Sequence, residues 1–188
     1  MKDTLIRQIT AYTPCNEQEA ADKALMLTLL ASGGDLSLRE NLQFHLTASA
    51  WVVTPDRSRV LMAYHNLYNS WAWLGGHADG QWNLAAVAEK EAREESGIGN
   101  LKLLSPDIFS LEILTVDGHE KRGRYVPSHL HLNLTYLFEA DPDESLRIKA
   151  DENSAVGWIC VEDIPVKSTE PWFVERIYSK LTQKAAKR

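Results

Sequence analysis

The spacing of apolar positions changes character at Phe44. Before it, residues 17–31 combine strong helix formers with apolar positions at helical spacing. Ala20, Ala24 and Leu27 form one strip, with Leu25 and Leu29 beside it, and Ser32-Gly33-Gly34-Asp35 stops the predicted helix. From Phe44 onward, HLTASAWVVT and RVLMAY read as two strands joined by the turn Pro55-Asp56-Arg57-Ser58. WAWLGGHADGQW then reads as a strand entering a glycine-rich loop. A helix follows from about Leu84 to Ser96, with Asn83 as its N-cap and Gly97 as its stop. Ile108–Val116, His129–Ala140 and Val156–Val161 are strand-like, and Phe173–Leu181 opens a last amphipathic helix before a basic tail. Strands flanking a central helix, with another helix at the end, predict an α/β sandwich around a mixed sheet. No repeat, low-complexity tract or linker divides the chain, so residues 1–40 are expected to be an N-terminal helical extension packed on a main domain of residues 41–188.

Placed on a wheel at roughly 100° per residue, the helix of residues 84–95 turns Leu84, Val87 and Ala88 toward the sheet. Glu91 and Glu95 share that stripe, Glu94 lies at its edge, and Glu89, Lys90 and Arg93 point away. A carboxylate withdrawn from water costs several kcal/mol unless it is paired or bound to a cation, and like charges one turn apart repel. The alternative is a helix solvated on all sides. A hard divalent cation removes the conflict, because clustered oxygen ligands suit Mg²⁺ or Mn²⁺.

The segment GHADGQWNLAAVAEKEAREESGI, Gly76 to Ile98, resembles the Nudix box, G-x5-E-x7-R-E-U-x-E-E-x-G-U with U a bulky aliphatic. Gly76, Glu91, Glu94, Glu95, Gly97 and Ile98 fall in register. Trp82, Lys90 and Ala92 depart from it, standing where the pattern has Glu, Arg and a larger aliphatic. The resemblance implies a Nudix-like α/β/α fold and a Mg²⁺-dependent hydrolase, with Mn²⁺ as a substitute. It would cleave the diphosphate bond of a nucleoside diphosphate linked to another moiety. It implies Glu91 and Glu95 as principal metal ligands, Glu94 assisting, and the Gly76 carbonyl adding a backbone oxygen. A further catalytic base is often supplied from a later loop; Glu152, in KADENSAVGWI ahead of a strand near Trp158, is the candidate, and a solvated loop carboxylate shared with Asp151 is the alternative.

His129 and His131 alternate along a strand and share one face, and His77 follows the box glycine. These three are the candidate substrate-binding side chains, with hydrogen-bonded wall residues as the plainer reading; a zinc site from them has no spacing argument. Trp71, Trp73 and Trp82 flank the box, and core packing is their default role. Asp79 is a candidate substitute for the carboxylate missing at Trp82.

Composition trims the alternatives. The 188 residues carry a formal net charge of −6, with 44% hydrophobic and 24% charged residues, which gives no sign of a duplex nucleic acid partner. An acidic protein can still accept a polyphosphate through divalent cations. The two cysteines, Cys15 and Cys160, form no disulfide framework or zinc spacing. Neither a signal peptide nor a membrane span is evident, and the expectation is a cytoplasmic protein. A homodimer stays open. A nucleotide- or metabolite-binding Nudix module without turnover is the competing reading, favoured by Trp82 and Lys90. An isomerase of the isopentenyl diphosphate type lacks a suitably placed cysteine.

Overall fold

A computed structural model describes residues 1–121, 123–150 and 152–188, which leaves Asp151 outside the described residues. Ahead of the main sheet lie α1 (Lys2–Ala11) and α2 (Glu17–Ala31). The strands are β1 (Phe44–Val53), β2 (Arg59–His65), β3 (Ser70–Ala72), β4 (Leu74–His77), β5 (Lys102–Leu103), β6 (Ser110–Val116), β7 (His119–Lys121), β8 (Arg124–Val126), β9 (His129–Glu139) and β10 (Asn153–Cys160). Between β4 and β5 runs α3 (Leu84–Ser96). After β10 come α4 (Ile164–Lys167), α5 (Pro171–Phe173), a π-helical turn (Val174–Tyr178) and α6 (Ser179–Ala185).

The spine of the sheet is β10-β2-β1-β9-β5, with β3 added on β2, β4 on β1 and β6 on β9. Its centre is the parallel pair β1–β9, in register from Phe44 opposite Leu130 to Val53 opposite Glu139, while the flanking pairs are antiparallel. The β1–β2 hairpin turns where sequence reading put it, with Arg57 in the left-handed region and Asp56 accepting from Thr54, Ser58 and the Ser58 amide. The pleat of β1 sends Leu46, Ala48, Ala50 and Val52 into one core, shared with α1, α2 and α3, and Trp51 and Val53 into a second, shared with α4 and the C-terminal helical segment. These are the layers of an α/β/α sandwich.

Helix α2 has the expected bounds and an Asn16 cap, but its buried face differs from the strip that spacing suggested. Glu19, Met26 and Leu30 face inward, Leu27 and Leu29 are half-buried, and Ala20, Ala24 and Leu25 face solvent. The helix lies against the edge of β6, where Asp22 accepts from the Ile113 amide at 3.1 Å, so polar groups belong on its inner side. Glu19, Glu112 and Lys180 are buried beneath it. Lys180 Nζ lies 3.2 Å from Glu19 and 2.9 Å from Glu112, and the Ser110 hydroxyl lies within hydrogen-bond distance of both carboxylates. Sequence reading did not assign α1, whose Leu5 and Ile9 are buried one turn apart, or the short elements β5, the β7–β8 hairpin and α4. The expected continuous last helix contains the π-helical turn.

Candidate metal and substrate site

Helix α3 is built as its sequence indicates. The Asn83 side chain accepts from the Ala86 amide, and Gly97 closes the helix at φ 71. Its sheet-facing side buries Leu84, Val87, Ala88, Ala92 and Ser96 together with Glu91 and Glu95, which are 9% and 5% exposed. Glu94 is exposed, and Arg93 pairs with Glu89 at 2.8 Å on the outer side. Ala92, short for its pattern position, is fully buried. Lys90 does not simply point outward: its flexible stem bends back to place Nζ 3.1 Å from Glu91 and 3.5 Å from Glu94. Its single ammonium bridges two carboxylates where a guanidinium would grip one bidentately.

Strand β4 lies directly against this helix. A Cβ added to Gly76 would fall 2.5 Å from Glu91 Cδ and 2.7 Å from Oε2, so only glycine leaves that carboxylate its place. Next to it, the Gly75 amide donates to Glu95 Oε2 at 3.0 Å. Burial pushes the Glu95 carboxyl up to about 8 from its ordinary 4.5; Glu91 and Glu152 add to the shift, and the Gly75 hydrogen bond and Lys149 oppose it. An acid held against ionisation beside other carboxylates is a group that a cation would relieve.

Glu152 belongs to the same electrostatic group. Lys149 lies 2.9 Å from Glu152 and 3.9 Å from Glu94, and the Glu152 carbonyl accepts from the Asn66 amide at 3.1 Å. Sequence reading put Glu152 in a loop well before its strand; it directly precedes β10, because pairing of Asn153 with His65 extends that strand backward. Asp79 does not replace the carboxylate absent at Trp82. Arg39 grips it with both Nε and Nη2, at 2.7 Å from Nε. Trp82 itself packs on the core, with Lys2 Nζ of α1 5.9 Å from its ring centre. Trp71 and Trp73 pack against the second core, as the default reading holds.

The three histidines meet, and they meet a fourth. Register puts His45 of β1 opposite His131 of β9 and Thr47 opposite His77 of β4. His45 is 5.0 Å from both His77 and His131, and 4.8 Å from His129, between ring centres. His45 was missed because nothing in FHLTAS distinguishes it; only the pairing of β1 with β9 and β4 does. Burial pushes His131 down to about 2, with His77, His45 and His129 adding to the effect, and lowers His45 against the hydrogen bond to Asn41. Both shifts favour the neutral ring.

A glycine cradling one of two inward carboxylates on a helix, inside an α/β/α sandwich, is the arrangement of the Nudix hydrolase class. The chain belongs to that family, the NUDIX domain matching residues 43–181. No curated protein matches the chain significantly. The fold is shared with an Ap4A hydrolase from C. elegans, 16% identical over 76% of this chain and 95% of that one, TM-score 0.54. It is also shared with a Nudix hydrolase from M. smegmatis, 15% identical over 76% and 86%, TM-score 0.54. A third is the E. coli dihydroneopterin triphosphate pyrophosphohydrolase, 13% identical over 72% and 95%, TM-score 0.51.

Proposed function

We propose that the chain hydrolyses the diphosphate bond of a nucleoside diphosphate linked to another moiety, with Mg²⁺ as its metal and Mn²⁺ able to replace it. The observation that carries this is the pair Glu91 and Glu95, both turned inward from one helix, against a glycine strand that leaves room for nothing larger. The donor set fits a hard divalent ion: carboxylates of Glu91, Glu95 and Glu94, with the Gly76 carbonyl. When bound, the metal neutralises phosphate charge and acidifies the attacking water. Within the chain, Gly75 orients Glu95 through its amide, Lys90 and Lys149 restrain Glu91 and Glu94, and Glu152 is the base that takes the proton of the attacking water. His77, His129 and His131 are the substrate-binding side chains. Residues 1–40 are read as an extension on a catalytic domain of residues 41–188, in a cytoplasmic protein able to form a homodimer. Among the described residues no helix is long and apolar enough to cross a membrane.

One observation favours a binding module without turnover: Lys90 already neutralises Glu91 and Glu94. Incubation with Mg²⁺ and a panel of nucleoside diphosphate-linked compounds, followed by phosphatase treatment and phosphate assay, separates the readings. The enzyme releases phosphate from at least one compound, and Glu95→Gln does not. Binding without release from any compound selects the module.

A further inference from the structure

We propose that His45, His77 and His131 form a second metal site, for a divalent transition ion of the Zn²⁺ class, separate from the carboxylate site on α3. One ligand nitrogen from each ring lies within 4.8 Å of the other two. Three imidazole nitrogens about 2.1 Å from a tetrahedral zinc lie about 3.4 Å apart, so the rings would draw together when the ion binds.

The hydrogen bonds single out the free lone pair. His45 Nδ1 lies 3.0 Å from the Asn41 carbonyl, which can only accept, so Nδ1 carries the proton and Nε2 is the bare nitrogen. That Nε2 is buried without a hydrogen-bond partner in a ring only 4% exposed. A buried acceptor left unmet costs about 1–3 kcal/mol, and a metal ion meets it. The Asn41 carbonyl does for His45 what outer-shell acceptors do for metal-binding histidines: it fixes tautomer and ring orientation. His129 supplies a similar support. Its Nδ1 lies 2.8 Å from the Pro127 carbonyl, and its Nε2 lies 3.2 Å from His131 Nε2.

The setting favours nitrogen-seeking ions over Mg²⁺. The three ligands are imidazole nitrogens with no carboxylate among them, a donor set that suits such an ion. Arg39, whose charge bears on both rings, is neutralised by Asp79. The three ligands come from β1, β4 and β9, so the ion ties together three strands. Successive side chains alternate across a strand, so His77 projects from the opposite face of β4 to Gly76, which faces Glu91. Three protein ligands leave one coordination position of a tetrahedral ion for water.

Titration of the metal-free, full-length protein with Co²⁺ in excess Mg²⁺ tests the site. Tetrahedral nitrogen-ligated Co²⁺ absorbs strongly in the visible, whereas six-coordinate all-oxygen Co²⁺, as at a carboxylate site, absorbs weakly. The expected result is one strongly absorbing equivalent per chain, displaced by one equivalent of Zn²⁺ and unaffected in Glu91→Gln or Glu95→Gln. The half-buried ligand is changed in His77→Gln, which should weaken binding roughly 100-fold or more while circular dichroism stays that of the wild type. Absence of the strong band in folded wild-type protein overturns the site, and so does an unchanged band in His77→Gln. Phosphate release in Mg²⁺ alone reports on the carboxylate site independently of either outcome.

Discussion

Gly76 and Glu91 occupy mutually exclusive space: a methyl group at position 76 would sit 2.7 Å from a Glu91 carboxylate oxygen. The obstructing atoms are the far end of a flexible side chain, so Gly76→Ala should displace the carboxylate and leave the fold intact. Turnover is expected to fall on the order of 100-fold, the scale on which a misplacement of about 1 Å acts. The melting temperature should change little. An active Gly76→Ala enzyme would count against Glu91 as a ligand.

Glu95→Gln should separate activity from stability. The folded-state acid, at about 8, lies above its ordinary 4.5. As pH rises from 4.5 to 8 the unfolded chain sheds this proton while the folded chain keeps it, so the metal-free protein loses stability across that window. Glutamine removes the loss and can still accept from the Gly75 amide. The variant is expected to melt higher than wild type in chelator at pH 8, and to be nearly inactive with Mg²⁺. Thermal melts at pH 5 and pH 8, beside a turnover assay, check both halves.

Glu152→Gln tests the proposed base. General-base losses are typically on the order of 10² to 10⁴ in rate, and a residue that only shapes the loop would not confine its effect to kcat. We expect kcat to fall with KM little changed. Equal kcat values would return Glu152 to the role of an ion-pair partner of Lys149.

Lys180 carries the buried charge balance under α2. Lys180→Met leaves Glu19 and Glu112 without their shared cation and should destabilise the fold by about 3–5 kcal/mol, measured by denaturant unfolding at pH 7.

Acid should act through the same group. Burial raises the Glu19 carboxyl, but the Cys15 amide, Lys180, Lys184 and Tyr12 outweigh it and hold it down to about 2. The stability it contributes is complete above its ordinary 4.5 and is lost as pH falls toward 2. Glu19→Gln should flatten the stability profile in that window, and an unchanged slope would show that other carboxylates dominate acid unfolding.

Much of the scaffold follows from local signals. Asn83 and Gly97 bracket α3 because capping is a contact between near neighbours in sequence, and the inward stripe from Leu84 to Glu95 follows from helical periodicity alone. Neighbour-level chemistry was less informative on α2, where the buried face includes Glu19 because β6 and Lys180 arrive from remote parts of the chain. Lys90 shows the same limit: its position points outward, yet its long stem reaches Glu91.

By itself the sequence determined the helix that carries Glu91 and Glu95, the glycine before it and the family to which that spacing belongs, since each is encoded within some twenty consecutive residues. Only the tertiary structure decided which side chains gather around them. The parallel pairing of β1 with β9 brings His45 to His131, β4 adds His77, and Arg39 claims Asp79. These neighbours lie up to 86 positions apart, and strand register, not proximity in sequence, brings them together.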